Sequence, residues 1–136
     1  MENDKLILAL DVNTLGEAEE LVLALKDVVG TYKIGMQLYY GAGNKAVEMV
    51  HRHGGKVFLD LKLHDIPNTV AHAARVLTGY GVEMFNIHTS GGKEMMSRTR
   101  EAVLDEAEKL GLAPPLLVGV TVLTSIDDDA LNTEIG

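Results

Sequence analysis

The sequence predicts an α/β protein of the TIM (β/α)8 barrel class, of which this chain supplies about the first five βα units. Three observations predict it. Five apolar, strand-like runs alternate with amphipathic helical segments at intervals of about 25–33 residues, the spacing that a helical crossover between parallel strands requires. The runs are nearly continuous in apolar residues, as in Leu6-Ile7-Leu8-Ala9-Leu10 and Leu116-Leu117-Val118, which suits strands covered on both faces. Successive runs end in polar residues: Asp11, Lys33, Asp60 with Lys62, His88 and Thr124. A doubly wound sheet shares the first two features. Convergence of several strand ends on one face is what a barrel mouth provides.

The first strand, 6–11, leads to Thr14, which can cap a helix with Glu17 three residues later as a capping box. Ala18, Leu21, Val22, Leu25 and Val28 recur at helical spacing, and Gly30 ends the segment. A strand over 31–35 precedes a helix over 38–53, with Ala42, Ala46, Val47, Met49 and Val50 as its apolar face and Gly54-Gly55 as its stop. The third strand, 57–63, runs into a helix through Val70, Ala73, Ala74 and Leu77. Pro67 suits its first turn and Asp65 can cap it. Strand four covers 83–88, and Ser90 is placed to cap a helix over 92–110. Strand five covers 116–122, and Asp127 or Asp128 can cap a last short helix. No linker or low-complexity segment interrupts 1–136, which reads as a single domain.

Composition bounds the function. With 136 residues, 46% of them hydrophobic and 24% charged, the chain has an ordinary globular mix. A net charge of −8 without any Lys/Arg cluster argues against nucleic acid as a partner. An anionic metabolite remains open if cations are concentrated locally, and Lys33 and Lys62 are the candidates. Disulfides and thiolate metal sites are excluded, since the sequence has no cysteine. The start of the chain, 1–5, is polar, and the apolar stretch 6–10 is too short for a signal peptide or membrane span. The expectation is a cytoplasmic protein without membrane attachment.

Chemistry concentrates at 57–70. Asp60 and Lys62 interrupt an apolar strand. Strand alternation puts them on one face, with Leu59, Leu61 and Leu63 on the other, toward helices. A charge on a buried strand is costly unless paired. A purely structural Asp60–Lys62 ion pair is one reading. With Asp65 beyond the strand end, an acid, a base and a second acid gather where barrels place active sites, which favours catalysis. Elsewhere the signals are weaker. Gly41-Ala42-Gly43 lacks the third glycine of a dinucleotide fingerprint. Ser90-Gly91-Gly92 can cap a helix or hold an anion. His51 and His53 do not share a helical face, and His64 and His72 lack a coherent ligand set. Asp127-Asp128-Asp129 lacks the glycine and distal glutamate of a calcium loop. His88 either supports the site or satisfies a buried carbonyl.

The string Asp60-x-Lys62-x-x-Asp65-Ile66-Pro67-x-Thr69, preceded by Phe58-Leu59, resembles the signature of the orotidine 5'-monophosphate decarboxylase family. The resemblance extends to Ala9-Leu10-Asp11, Tyr32-Lys33-Ile34-Gly35, His88-Thr89-Ser90-Gly91-Gly92 and Val120-Thr121-Val122-Leu123-Thr124-Ser125. It implies a (β/α)8 barrel that converts orotidylate to UMP and CO2 with no metal and no organic cofactor. It further implies Lys62 as proton donor to C6, in an alternating array with Lys33, Asp60 and Asp65. Asp11 and Lys33 are expected at the ribose hydroxyls and Thr124 at the pyrimidine. The same resemblance implies a homodimer in which Asp65, Ile66 and Thr69 reach the neighbouring subunit's site. Two alternatives stand beside it. A Mg²⁺-dependent sugar-phosphate decarboxylase or aldolase of the same superfamily needs a carboxylate where this chain has Lys33. The other is a non-catalytic, nucleotide-binding partial barrel. Since the family barrel has eight strands, residues 1–136 alone are expected to be inactive.

Overall fold

The structure, a computed structural model, describes residues 5–135. Residues 1–4, part of the polar start weighed against a leader, lie outside the described residues. In order, the elements are β1 (Ile7–Ala9), α1 (Leu15–Leu25), β2 (Thr31–Gly35), α2 (Met36–Ala42), α3 (Lys45–Arg52), β3 (Lys56–Leu63), α4 (Pro67–Gly79), β4 (Met84–His88), α5 (Lys93–Leu110), β5 (Leu116–Val120) and α6 (Asp128–Ala130). Among the described residues no helix is long and apolar enough to cross a membrane.

The strands form one sheet in the order β1-β2-β3-β4-β5, with every pairing parallel. A doubly wound sheet reverses strand order at a switch point, and no reversal occurs here. Strictly sequential parallel strands are the order of a barrel wall. With right-handed crossovers, such an order places every connecting helix on the same face.

Register assigns the two faces. Lys33 pairs with Phe58 and Gly35 with Asp60, while Phe58 pairs with Met84 and Met84 with Leu116. Side chains in register on parallel strands share a face, so Lys33, Asp60, Asn86 and Val118 lie on one side. Tyr32, Ile34, Val57, Leu59, Phe85 and Ile87 lie on the other. There they pack with Ala18 and Val22 of α1, Leu38 of α2, Val47 and Val50 of α3, Ala74 and Leu77 of α4, and Met95 and Val103 of α5. One face is thus an apolar core, and the polar strand residues occupy the other.

Most elements fall where the sequence places them. The Thr14–Glu17 capping box is present, with the Glu17 carboxylate accepting from the Thr14 N–H at 3.0 Å. Pro67 sits in the first turn of α4, and Asp127 caps α6 by accepting from the Ala130 N–H. Five expectations need correction. The first helix stops at Leu25 rather than Gly30, which leaves Val28 53% exposed instead of on the apolar face. The 38–53 helix is two helices, because Gly43 at φ +62 breaks the rotation between α2 and α3. Asp65 does not cap α4. Ile66 is the cap residue, and Asp65 Oδ1 instead accepts from the adjacent Ile66 N–H at 2.6 Å. Ser90 does not cap α5 either; it lies in a short 3-10 turn, Thr89–Gly91, and Gly92 at φ +93 starts the helix. The first and fifth strands are shorter than predicted, Ile7–Ala9 and Leu116–Val120. These are the two edges of the sheet, where a partner on one side only limits pairing.

Beyond β4 the chain is fastened to β5 by Thr89, whose hydroxyl donates to the Val120 carbonyl at 3.0 Å. Gly119 permits this approach, since a Cβ there would meet Thr89 Cγ2 at 2.8 Å.

Candidate active site

Four charged side chains from three strand ends meet on the polar face. Asp11 follows β1, Lys33 is on β2, and Asp60 and Lys62 are on β3. Lys33 Nζ lies 3.3 Å from Asp11 Oδ1 and 3.3 Å from Asp60 Oδ2. Lys62 Nζ lies 2.6 Å from Asp60 Oδ1. The result is an unbroken alternation, Asp11–Lys33–Asp60–Lys62. Solvent reaches its two ends more than its centre: the Asp60 side chain is 14% exposed.

Burial pushes the Asp60 carboxyl pKa up, but hydrogen bonds from Lys62 and Asn86 and the charges of Lys62 and Lys33 outweigh it. Its pKa therefore lies below the usual aspartate range. Asp60 is a carboxylate at neutral pH, held between two ammonium groups. Charges so placed are fixed before any ligand arrives, which is the requirement for electrostatic work on a reacting centre.

The backbone at this point is irregular. Leu59 pairs with Phe85 and Leu63 with Ile87, so β3 uses two more residues than β4 over the same stretch. Within that excursion Lys62 has φ +50, alone among the described non-glycine residues in that region. A left-handed conformation costs a residue with a Cβ roughly 1–2 kcal/mol, and such strain collects at functional sites. The predicted strict alternation of Leu59, Leu61 and Leu63 is corrected accordingly. Leu59 is fully buried, while Leu61 and Leu63 are half-buried and line a cleft.

That cleft, of about 270 Å³, opens where β3 leaves for α4, and Tyr40, Lys62, His64, Asp65 and Thr69 also border it. Asp65 opens onto this cleft and joins no ion pair of the array among the described residues. Ile66 is 69% exposed and Thr69 is exposed. The predicted residues therefore divide into two groups. Asp11, Lys33, Asp60 and Lys62 are assembled, whereas Asp65, Ile66 and Thr69 face outward within this chain. Thr124, in the turn after β5, is exposed, and no hydrogen bond joins it to the array among the described residues. The His88 ring sits 5.5 Å from that of His64, tilted at 45°.

One residue was missed by reading the sequence. Asn86, in the middle of β4 and 3% exposed, donates from Nδ2 to Asp60 Oδ1 at 2.7 Å and accepts at Oδ1 from the Lys62 N–H at 2.8 Å. The available signal was an asparagine, a residue disfavoured in strands, between Phe85 and Ile87.

Fold and site together define a class: the opening βα units of a (β/α)8 barrel that carries alternating Lys and Asp side chains at its strand ends. Comparison with known proteins narrows the class. Residues 4–136 match the family described as orotidine 5'-phosphate decarboxylase / HUMPS. The orotidine 5'-phosphate decarboxylase of Syntrophomonas wolfei is 52% identical over 133 residues, covering 98% of this chain and 56% of that protein. The crystal structure of the Lactobacillus acidophilus orotidine 5'-phosphate decarboxylase superposes with a TM-score of 0.85 at 36% identity, over 96% of this chain and 58% of that one. The Methanocaldococcus jannaschii orotidine 5'-monophosphate decarboxylase, solved with the inhibitor BMP, gives 0.73 at 28% identity, over 94% of this chain and 56% of that one. The chain belongs to the orotidine 5'-phosphate decarboxylase / HUMPS family, and it spans about half the length of the curated relatives it matches.

Proposed function

We propose that this chain carries the charged half of the catalytic centre of an orotidine 5'-phosphate decarboxylase, which releases CO2 from C6 of orotidylate and forms UMP. The observation that carries this reading is the Asp11–Lys33–Asp60–Lys62 array, assembled at the strand ends of a chain in this family. Loss of CO2 leaves a carbanion in the plane of the pyrimidine, where the ring carbonyls cannot delocalise it. The protein must stabilise that charge with a fixed cation and then deliver a proton. Lys62 serves both needs: its ammonium is aimed by Asp60 and carries a transferable proton. Asp60, ionised and sparingly exposed, would stand beside the departing carboxylate. Lys33 holds Asp60 from the other side, and with Asp11 it would meet the ribose hydroxyls. Thr124 would contact the pyrimidine.

Asp65, Ile66 and Thr69 would act across a two-fold dimer, a reading supported by their exposure and by the lack of any ion pair between Asp65 and the array among the described residues. Protein of this kind would work in the cytoplasm. The metal-dependent alternative is disfavoured on chemical grounds, because Lys33 places an ammonium between the Asp11 and Asp60 carboxylates, where a divalent cation would need to sit.

The test joins this sequence to the C-terminal half of the Syntrophomonas wolfei relative, so that eight strands are present. Loss of orotidylate absorbance in EDTA is expected from this completed barrel. A folded completed barrel without that turnover, or with turnover only when Mg²⁺ is added, would reject the reading. Residues 1–136 alone should show no turnover.

A further inference from the structure

The Asn86 side chain joins two features that are separate in sequence: the Asp60 carboxylate and the left-handed backbone of Lys62. Chemistry fixes its orientation. A backbone N–H only donates and an ionised carboxylate only accepts, so Oδ1 must face Lys62 and Nδ2 must face Asp60. At 3% exposure, water is a poor substitute for either partner. Where β3 runs two residues ahead of β4, the Lys62 N–H bonds to this side chain at 2.8 Å.

We propose that Asn86 is a positioning residue of the site, clamping the Lys62 backbone and the Asp60 carboxylate to one another so that the Lys62 ammonium is held in register for its reaction. It touches no reacting atom. It acts through both members of the Asp60–Lys62 pair from the neighbouring strand. The catalytic consequence rests on the decarboxylase reading; the clamp itself does not. Burial pushes the Asp60 pKa up, and the Asn86 hydrogen bond, after that from Lys62, helps to pull it below the usual aspartate range, in agreement with this role.

Two variants separate the halves of the clamp. Asn86→Asp keeps the shape and the acceptor for the Lys62 N–H, but replaces the donor to Asp60 with a second carboxylate. Asn86→Leu removes both contacts. The first measurement is a 13C-detected titration of the Asp60 carboxyl in this chain, which needs no turnover. Its midpoint should rise in both variants, and further in Asn86→Asp. The second is steady-state kinetics in the completed barrel. There kcat should fall about 10–100-fold, the penalty expected when a reacting group is misplaced by about an ångström, while KM for orotidylate changes less than about threefold. An unchanged Asp60 midpoint in Asn86→Asp overturns the proposal, as does a kcat within twofold of the parent, even if thermal stability drops. Should Asn86→Leu fail to fold, the near-isosteric Asn86→Asp decides alone. Absence of turnover in the unsubstituted completed barrel would remove the decarboxylase reading, and the titration would still judge the clamp.

Discussion

Two clusters of charge in this molecule look alike by distance and differ in everything else. On the polar face of the sheet, Asp11, Lys33, Asp60 and Lys62 alternate at 2.6–3.3 Å. On the helical side, Arg75 of α4 reaches Asp105 at 3.1 Å and Glu106 at 3.5 Å on α5. Arg75 also donates to the Ala102 carbonyl at 3.4 Å, so one guanidinium fastens one helix to the next. Its partners stand on regular helix with no strained residue near them. The array at the strand ends sits on a distorted strand, with a left-handed lysine and a buried amide bracing it. The difference teaches where to look for function. Ion-pair distance marks both clusters, whereas backbone strain and a buried polar brace mark only the array.

The sharpest way to break this comparison is to remove Lys62 from the array. In the completed barrel, Lys62→Ala should lower the decarboxylation rate by ~10⁴-fold or more, since proton transfer and charge stabilisation each supply a large factor. UMP binding should largely survive, as titration calorimetry can establish. A Lys62→Ala variant that keeps more than about a tenth of the parent rate would reduce the array to a structural ion pair like that of Arg75.

The next experiment sharpens the comparison by asking whether the array is complete within one chain. Lys62→Ala and Asp65→Ala completed barrels, each inactive, are mixed under subunit exchange. A hybrid dimer has one intact site and one doubly damaged site. Random mixing in a C2 dimer should therefore restore roughly a quarter of parental activity. No recovery despite exchange confirmed by mass spectrometry would place Asp65 outside any shared site.

A third experiment uses pH. Because the folded-state pKa of Asp60 is depressed, its contribution to stability is fully present above the unfolded value of about 3.9 and is lost as pH falls through the lower folded value. Thermal melts of the parent and of Asp60→Asn should differ most near neutral pH and converge as pH drops below about 4. A gap independent of pH would mean that Asp60 is not held ionised by its neighbours.

The smallest effect belongs to the helix staple. Arg75→Met should cost about 1 kcal/mol or less by denaturant titration, since partly exposed ion pairs contribute little, and should leave kcat of the completed barrel unchanged. A large kinetic effect at this remote position would erase the distinction between the two clusters.

Local chemistry made much of this protein legible in its sequence. Thr14 with Glu17 marks a helix start, Pro67 marks another, and the spacing of five apolar runs announces parallel strands. These signals act over a few residues, so a linear reading recovers them. The charged pair Asp60 and Lys62 was also visible, because charge inside an apolar run has few innocent explanations.

What escaped the linear reading depends on a second element. Gly43 reads as one more glycine in a helical pattern until the packing of α2 and α3 as separate helices gives its φ of +62 a role. Asp65 and Ser90 are good caps by residue type. The chain's path off β3 and β4 moves the caps to Ile66 and Gly92. The two-residue excursion of β3 against β4 exists only in the pairing, and the left-handed turn at Lys62 accompanies it. Asn86, 24 residues from Lys62 in sequence, becomes part of the site only when β4 lies alongside β3. Sequence alone thus determined which residues carry charge and the alternating order of strands and helices. The alignment of neighbouring strands decided which charges meet, because ion pairs and hydrogen bonds reach only a few ångströms and the chain must fold to bring them that close.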